Sequence, residues 1–164
     1  MIQVVVDDLA LIEADAVLRP ADESLNPVGP MVTRLDQRAG ARFAEQRQLA
    51  NPLKAGAAVV TGSGDLTAPF VLHVVIRDPD SKTGRDVVRK ALVSAWQRAT
   101  DWELGTLATP LVGADSGDLS MEEAAALLAE TFPADARGCP STLHIVVERD
   151  TDRDLIEAIV RRKA

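Results

Sequence analysis

Short runs of β-branched residues alternate with longer segments of helical periodicity along this chain of 164 residues. Six runs have the composition of strands: Ile2–Val6, Ala16–Arg19, Ala57–Thr61, Phe70–Ile76, Thr106–Val112 and Thr142–Glu148. Four segments place apolar residues at helical spacing: Met31–Leu49, a segment opening at Asp86, Ser120–Phe132 and Thr151–Arg162. The first of these helices is expected to be weakened at Gly40. The alternation predicts a single domain over residues 1–164 of the α/β class, a three-layer α/β/α sandwich around a mixed, mostly parallel six-stranded sheet.

The charge balance narrows the classes of partner. The chain carries 18 Lys and Arg against 25 Asp and Glu, a formal charge of −7. Nucleic acid and anionic membrane surfaces are therefore not expected as partners, because binding phosphates requires a basic surface. The segment Met1–Asp8 lacks the basic and long apolar regions of a signal peptide, and Cys139 is the single cysteine. We expect a cytoplasmic protein on these grounds.

Several residues that often carry chemistry have a simpler structural interpretation in this chain. His73 and His144 fall in the middle of predicted strands, without metal-ligand partners at suitable spacing. Cys139 has no partner histidine, and Trp96 and Trp102 are predicted to pack from a single helix. The sequence contains no GxGxxG, HExxH or CxxC motif, so we expect neither a cofactor nor a resident metal.

Three loops are nominated for ligand binding by their place after predicted strands. In open parallel sheets, ligands bind outside the carboxyl ends of the strands. That rule selects the segment after Val6, the loop 21–30 and the loop 112–119. In the first, Asp8 can accept a hydrogen bond from an exocyclic amine or can cap a turn. In the second, Asp22 and Glu23 are either functional or simply solvated.

The backbone of the loop 112–119 suits an anion, but its side chains are acidic and would repel one. Gly113 and Gly117 permit close approach of backbone N–H groups, and a capping box at Ser120 and Glu123 opens the following helix. Asp115 and Asp118, however, place two negative charges there. At about 5 Å and an effective dielectric of 20, each would repel a phosphate charge by on the order of 3 kcal/mol. A phosphate cradle and a plain strand–helix connector both remain open.

Segments in chain order resemble the macro domain, a fold that recognises ADP-ribose. Asp7-Asp8-Leu9 is similar to the family's Gly-Asp-Ile, and the stretch 15–22 resembles its Asp-Ala-Ile-Val-Asn-Ala-Ala-Asn. The stretches 56–62 and 71–75 resemble two further family strands. Residues 110–119 resemble the phosphate loop Pro-x-Leu-Gly-Thr-Gly-x-Gly-Gly-Leu. The resemblance covers nearly the whole chain and implies the macro fold.

The resemblance also implies roles for individual positions. Asp8 corresponds to the aspartate that recognises adenine, and the implied ligand-binding set is Asp8, Leu9, Gly29, Val112, Gly113, Ala114, Asp115, Ser116 and Gly117. The departures fall on functional positions. Arg19 and Asp22 replace the two asparagines of the Asn-Ala-Ala-Asn stretch, and Val28-Gly29-Pro30 replaces a glycine triplet. Asp115 and Asp118 replace glycines of the phosphate loop.

Three hypotheses follow. The first is a divergent macro-like module that binds ADP-ribose or a related nucleotide at the strand ends and has lost catalysis. The second is an ADP-ribosyl hydrolase or phosphoesterase in which Asp22 is the catalytic general base. The third is a scaffold or oligomerisation domain, with a variant in which Asp22, Asp115 and Asp118 converge on a cation. Whether Arg19 turns inward to neutralise Asp115 or Asp118 is left open by the sequence.

Overall fold

A six-stranded sheet runs through the centre of the computed structural model, which describes residues 1–134 and 137–163. Its strands are β1 (Ile2–Val6), β2 (Ala16–Ala21), β3 (Ala58–Gly62), β4 (Phe70–Val75), β5 (Thr106–Thr109) and β6 (Thr142–Val147). Their spatial order is β1-β6-β5-β2-β4-β3. All neighbours are parallel except β3 and β4, which are antiparallel. The predicted mixed, mostly parallel sheet is confirmed.

Five helices are seen in the described residues: α1 (Pro30–Ala39), α2 (Ala41–Gln46), α3 (Arg85–Asp101), α4 (Met121–Thr131) and α5 (Asp150–Lys163). The capping box that opens α4 is formed, because the Ser120 side chain accepts from the Glu123 N–H and the Glu123 side chain accepts from the Ser120 N–H. None of the helices in the described part of the chain is long and apolar enough to span a bilayer.

Alternating strand residues point to two separate cores, one on each face of the sheet. Leu18, Leu72, Leu107 and Leu143 pack with residues of α3, α4 and α5. Val17, Val71, Ala108 and Val146 face the other side of the sheet and pack with α1, α2 and the turn after β1. Period-two alternation places successive side chains on opposite faces, so both faces are covered by helices. The three-layer α/β/α architecture is thereby confirmed.

The predicted helix over Met31–Leu49 is wrong in its continuity. Gly40 divides it into α1 and α2, with φ of 84° and ψ of −177°. These angles lie outside the helical region, and a Cβ on Gly40 would approach the Asp65 Oδ2 to 2.7 Å. A helical continuation is therefore replaced by a turn that only glycine adopts at low cost.

Two smaller predictions also need correction. The strand predicted to run to Val112 ends at Thr109, directly before Pro110, which has no N–H for a ladder hydrogen bond. Trp102 does not share a helix with Trp96, because α3 ends at Asp101. Trp102 is 51% exposed and packs edge-on against Phe70, whereas Trp96 is buried against Phe132.

Candidate functional site

The carboxyl ends of the parallel strands β1, β6, β5 and β2 lie along one edge of the sheet. The three loops nominated from the sequence, after β1, β2 and β5, all leave from this edge. A fourth segment joins them, the Glu148–Arg149 connection between β6 and α5. The N-terminus of α1 also reaches this edge, because α1 begins where the loop after β2 ends.

Two adjoining cavities open at this edge. The first, here called the Asp8 cavity, has a volume of about 450 Å³, and the second, the Asp115 cavity, about 440 Å³. Both are lined by Met31, Arg34 and Glu148. The Asp8 cavity adds Asp7, Asp8, Leu9, Leu35, Gln37 and Arg38. The Asp115 cavity adds Leu111, Ala114, Asp115, Met121, Val146, Val147, Arg149 and Asp152.

Asp8 uses its two carboxylate oxygens differently. Oδ1 accepts a hydrogen bond from the Ala10 N–H at 2.8 Å and so caps the turn after β1. Oδ2 lies 3.5 Å from the Arg38 Nη1, and both side chains are about half exposed. One oxygen therefore fixes the loop, and the other faces the cavity beside the Arg38 guanidinium. Asp8 therefore caps the turn with Oδ1, and Oδ2 is not used for this capping.

The loop after β5 keeps the backbone of an anion cradle. Gly113 and Gly117 have positive φ of 93° and 80°. Within the described residues, the N–H groups of Asp115 and Ser116 donate to no protein atom, while the Ala114 N–H is taken by the Leu111 carbonyl. Ala114 and Asp115 line the Asp115 cavity, but Val112 is only 1% exposed and belongs to the core.

Asp115 joins this loop to the start of α1. Its Oδ2 accepts a hydrogen bond from the Met31 N–H at 2.9 Å. Burial raises the pKa of the Asp115 carboxyl, and hydrogen bonds from the Met31 and Val32 N–H groups oppose that rise. Gly29 lies directly beneath the carboxylate, since a Cβ there would stand 2.1 Å from the Asp115 Oδ2.

The acids proposed as cation ligands do not come together. Asp22 Oδ1 accepts from the Ser24 and Asn26 N–H groups, both at 2.9 Å. Asp118 Oδ2 accepts from the Ser116 hydroxyl at 2.5 Å and lies 3.4 Å from the Arg77 Nη2. No group of three or more acidic, histidine or cysteine side chains suited to a metal is found in residues 1–134 and 137–163. The convergence hypothesis for Asp22, Asp115 and Asp118 is therefore wrong.

Arg19 turns inward, but toward a different acid from those considered in the sequence. Its Nε and Nη2 donate to the two oxygens of Asp36 at 2.8 and 2.7 Å, and its Nη1 donates to the Leu25 carbonyl at 2.8 Å. The Arg19 side chain is fully buried. It therefore neutralises an acid of α1, and Asp115 and Asp118 have other partners.

His73 is a core residue, as predicted. Its Nδ1 lies 3.2 Å from the Arg19 Nη1 and its Nε2 2.7 Å from the Thr61 Oγ1. Its ring stacks on Phe43 with centroids 5.8 Å apart. Burial holds the pKa of His73 well below its usual range, and the nearby charges of Arg19 and Arg47 act in the same direction.

Sequence reasoning missed the residues shared by the two cavities. Arg34 donates from Nη2 to the Glu148 Oε1 at 2.9 Å, across the boundary between the cavities. The strand-end rule applied to β6 selects Glu148 as well, so that signal was available. Met31 and Arg34 could not be selected from the sequence, because their place depends on the direction in which α1 leaves its loop.

A family model matches most of this chain. The model described as "Macro domain" matches residues 19–128. An uncharacterized protein of Aeropyrum pernix is 30% identical over 119 residues, which are 72% of this chain and 63% of that protein. This chain therefore spans less than two thirds of that relative's length.

Solved macrodomains share the fold. The Oceanobacillus iheyensis macrodomain with ADP superposes with a TM-score of 0.76 at 19% identity, covering 97% of this chain and 89% of that one. The Trypanosoma brucei macrodomain in complex with ADP superposes with a TM-score of 0.82 at 16% identity, covering 97% and 68%. At these identities the likeness concerns the fold.

Proposed function

This chain belongs to the macro domain family, and we propose that it binds ADP-ribose or a related adenine nucleotide at the carboxyl edge of the sheet without hydrolysing it. The observation that carries the proposal is the Asp8 cavity, in which Asp8 presents Oδ2 while Oδ1 holds the loop. A volume of about 450 Å³ lies within the range of small-molecule pockets, about 300–1,000 Å³. The ADP named with two solved macrodomains supports the ligand class.

Each part of the edge has a chemical task in this proposal. Asp8 Oδ2 accepts from the exocyclic amine of adenine, and Leu9, buried at 6% exposure, supplies apolar contact. Arg34 lines both cavities and is available to a phosphate that displaces Glu148. The N–H groups of Asp115 and Ser116 are donors for a second anionic oxygen.

The absence of hydrolysis in this proposal rests on the position of Asp22 outside both cavities. Its carboxylate accepts two N–H groups of its own loop, and the residue lines neither the Asp8 cavity nor the Asp115 cavity. A general base must reach the proton that it removes. We expect no release of ADP-ribose from a modified protein. Release that is abolished by Asp22→Asn would instead support the hydrolase hypothesis.

Titration calorimetry with ADP-ribose tests the binding proposal. The decisive variant is Asp8→Asn, because the amide oxygen can still accept from the Ala10 N–H while an amide NH2 donor replaces Oδ2. We expect saturable binding by the native protein and at least about tenfold weaker binding by Asp8→Asn, since hydrogen bonds to charged groups contribute about 1.5–3 kcal/mol.

The matched control is Asp101→Asn, the same chemical change at the end of α3, before β5 begins and thus at the opposite edge of the sheet. Its affinity should equal that of the native protein. A flat titration with millimolar ADP-ribose would overturn the proposal and favour the scaffold or oligomerisation hypothesis.

A further inference from the structure

Strand β1 lies at an edge of the sheet and pairs with β6 on one side only, as far as the described residues show. The Asp7 N–H donates to the Val147 carbonyl, so the odd-numbered residues at this strand face β6. Because the backbone groups alternate in direction along a strand, the N–H and C=O groups of Ile2, Val4 and Val6 point away from the sheet. The outer side of β1 therefore presents a row of hydrogen-bonding groups that β6 does not use.

This edge carries none of the features that usually protect an outer strand. Natural edge strands are blocked by charged side chains, by proline or by bulges. Residues 2–6 are Ile-Gln-Val-Val-Val, without a charge or a proline. All five pair with β6 in one continuous register, so no bulge interrupts the strand. β1 is therefore a regular template for one further strand.

A groove, here called the β1 groove, runs beside this edge. It has a volume of about 370 Å³ and is lined by residues 2–5 together with Glu157, Val160 and Arg161 of α5. Val160 is buried in the core, whereas the Arg161 side chain is 79% exposed and the Glu157 side chain 35% exposed. These two charged side chains follow each other by one helical turn and lie 3.6 Å apart. The edge is thus flanked by one acid and one base.

The arrangement of these charges is complementary to a second copy of itself. An isologous dimer needs a surface in which each group meets a different group of the partner. A two-fold axis through Val4, perpendicular to the sheet, pairs the two β1 strands antiparallel and places both α5 helices on the same face, running in opposite directions. Glu157 of each copy then faces Arg161 of the other. The four side chains form a ring of alternating charge.

We propose that this chain forms a two-fold symmetric homodimer through antiparallel pairing of β1 with β1 of a second copy, which joins the two sheets into one. Val4 lies opposite Val4 of the second copy, and Ile2 lies opposite Val6 of the second copy. Each of these pairs exchanges two hydrogen bonds, since their free N–H and C=O groups face each other. The inference goes beyond nucleotide binding and does not depend on it.

Sedimentation equilibrium of the full chain at micromolar concentration tests the proposal, because one copy has a mass of 17.5 kDa and the dimer twice that. We expect the native chain to be a dimer. Glu157→Arg and Arg161→Glu should each raise the dissociation constant at least about tenfold, because like charges then face each other across the axis. A thermal melt verifies that each variant is folded.

Mixing the two variants separates a contact between copies from a contact within one helix. In a mixed dimer, Glu157→Arg brings two bases and Arg161→Glu brings two acids, so opposite charges face each other again. The mixture should therefore dimerise, although each variant alone does not at the same concentration. Arg162→Glu is the matched control, since it is the same reversal at a neighbouring residue that does not line the β1 groove. It should dimerise like the native chain.

Val6→Pro tests the strand pairing itself. Val6 faces away from β6, so proline there removes a donor of the free edge without breaking a hydrogen bond of the sheet. It should be monomeric, whereas Val6→Thr, which keeps the N–H, should dimerise. A monomeric native chain, growth beyond a dimer, or native-like dimerisation of Val6→Pro would overturn the proposal. A mixture of the two charge variants that stays monomeric would overturn it as well.

Discussion

Arg19 and Asp36 meet through two hydrogen bonds, from Nε and Nη2 of the guanidinium to the two carboxylate oxygens, at 2.8 and 2.7 Å. Arg19 lies in the central strand β2 and Asp36 in α1. The pair therefore fixes the helix that begins beside the Asp8 and Asp115 cavities. The Leu25 carbonyl receives a third hydrogen bond from Arg19 and one from Arg47. The loop between β2 and α1 is thereby held from inside the protein.

Removing one partner of this pair should be costly. Asp36→Ala removes the carboxylate and leaves the fully buried Arg19 guanidinium with an uncompensated charge. Arg47 adds a second positive charge nearby. We expect the free energy of unfolding in urea to fall by about 3–5 kcal/mol. The double variant Arg19→Leu with Asp36→Leu should recover part of that loss. A loss below about 1 kcal/mol in Asp36→Ala would contradict the assigned geometry.

Stability should depend on pH through His73. The Arg19 N–H faces Nδ1, so the neutral ring carries its proton on Nε2, directed at Thr61. The pKa of His73 is lowered in the folded protein, so the unfolded chain binds the extra proton and stability is lost as pH falls below about 6.5.

Denaturant unfolding between pH 6.5 and 5 measures this effect. The free energy of unfolding should fall by up to about 1.4 kcal/mol per pH unit, and the slope should be smaller in His73→Gln. Identical slopes in the two proteins would show that His73 is not the responsible group.

The fit of Asp115 over Gly29 predicts coupling between the two residues. Gly29→Ala adds strain at a positive φ and a clash with the Asp115 carboxylate. We expect a loss of about 1–3 kcal/mol in the free energy of unfolding. In an Asp115→Ala background the clash is gone and only the strain remains, so a double-mutant cycle should give about 1 kcal/mol of coupling or more. Additive effects would mean that the Cβ added at position 29 does not meet the Asp115 carboxylate.

The two glycines of the loop after β5 should differ in their tolerance of alanine. A Cβ on Gly113 would approach the Leu119 Cδ1 to 2.8 Å, whereas a Cβ on Gly117 meets no atom within 4 Å. Both positions have positive φ, so both substitutions strain the backbone by about 1 kcal/mol. Thermal melts should show the larger loss for Gly113→Ala. A larger loss for Gly117→Ala would contradict the loop conformation.

Much of the architecture was accessible from the sequence because burial on both faces leaves a strong signal. The six strand runs, the capping box at Ser120 and the core place of His73 were all predicted. Gly40 was predicted to weaken the first helix but not to end it, because the apolar spacing from Val32 to Phe43 continues across it. A turn that preserves helical spacing on either side is invisible to periodicity.

The candidate site was less accessible, since it depends on which charges meet. Asp115 was predicted to repel a ligand from its loop, but its contact with Met31 arises 84 residues away in the chain. Arg19 was considered as a partner for Asp115, and only the path of α1 brings Asp36 to it instead. Pairings between distant segments are decided by tertiary packing, which local pattern does not encode.

The most direct test of the account is a map of amide chemical-shift changes on addition of ADP-ribose, recorded by NMR on the native protein. The largest changes should cluster at the carboxyl edge of the sheet, in Asp8, Leu9, Arg34, Glu148 and residues 113–117. The amide signals of α3 and of the edge strand β3 should stay unchanged. An absence of shifts at millimolar ADP-ribose, or shifts concentrated away from this edge, would contradict it.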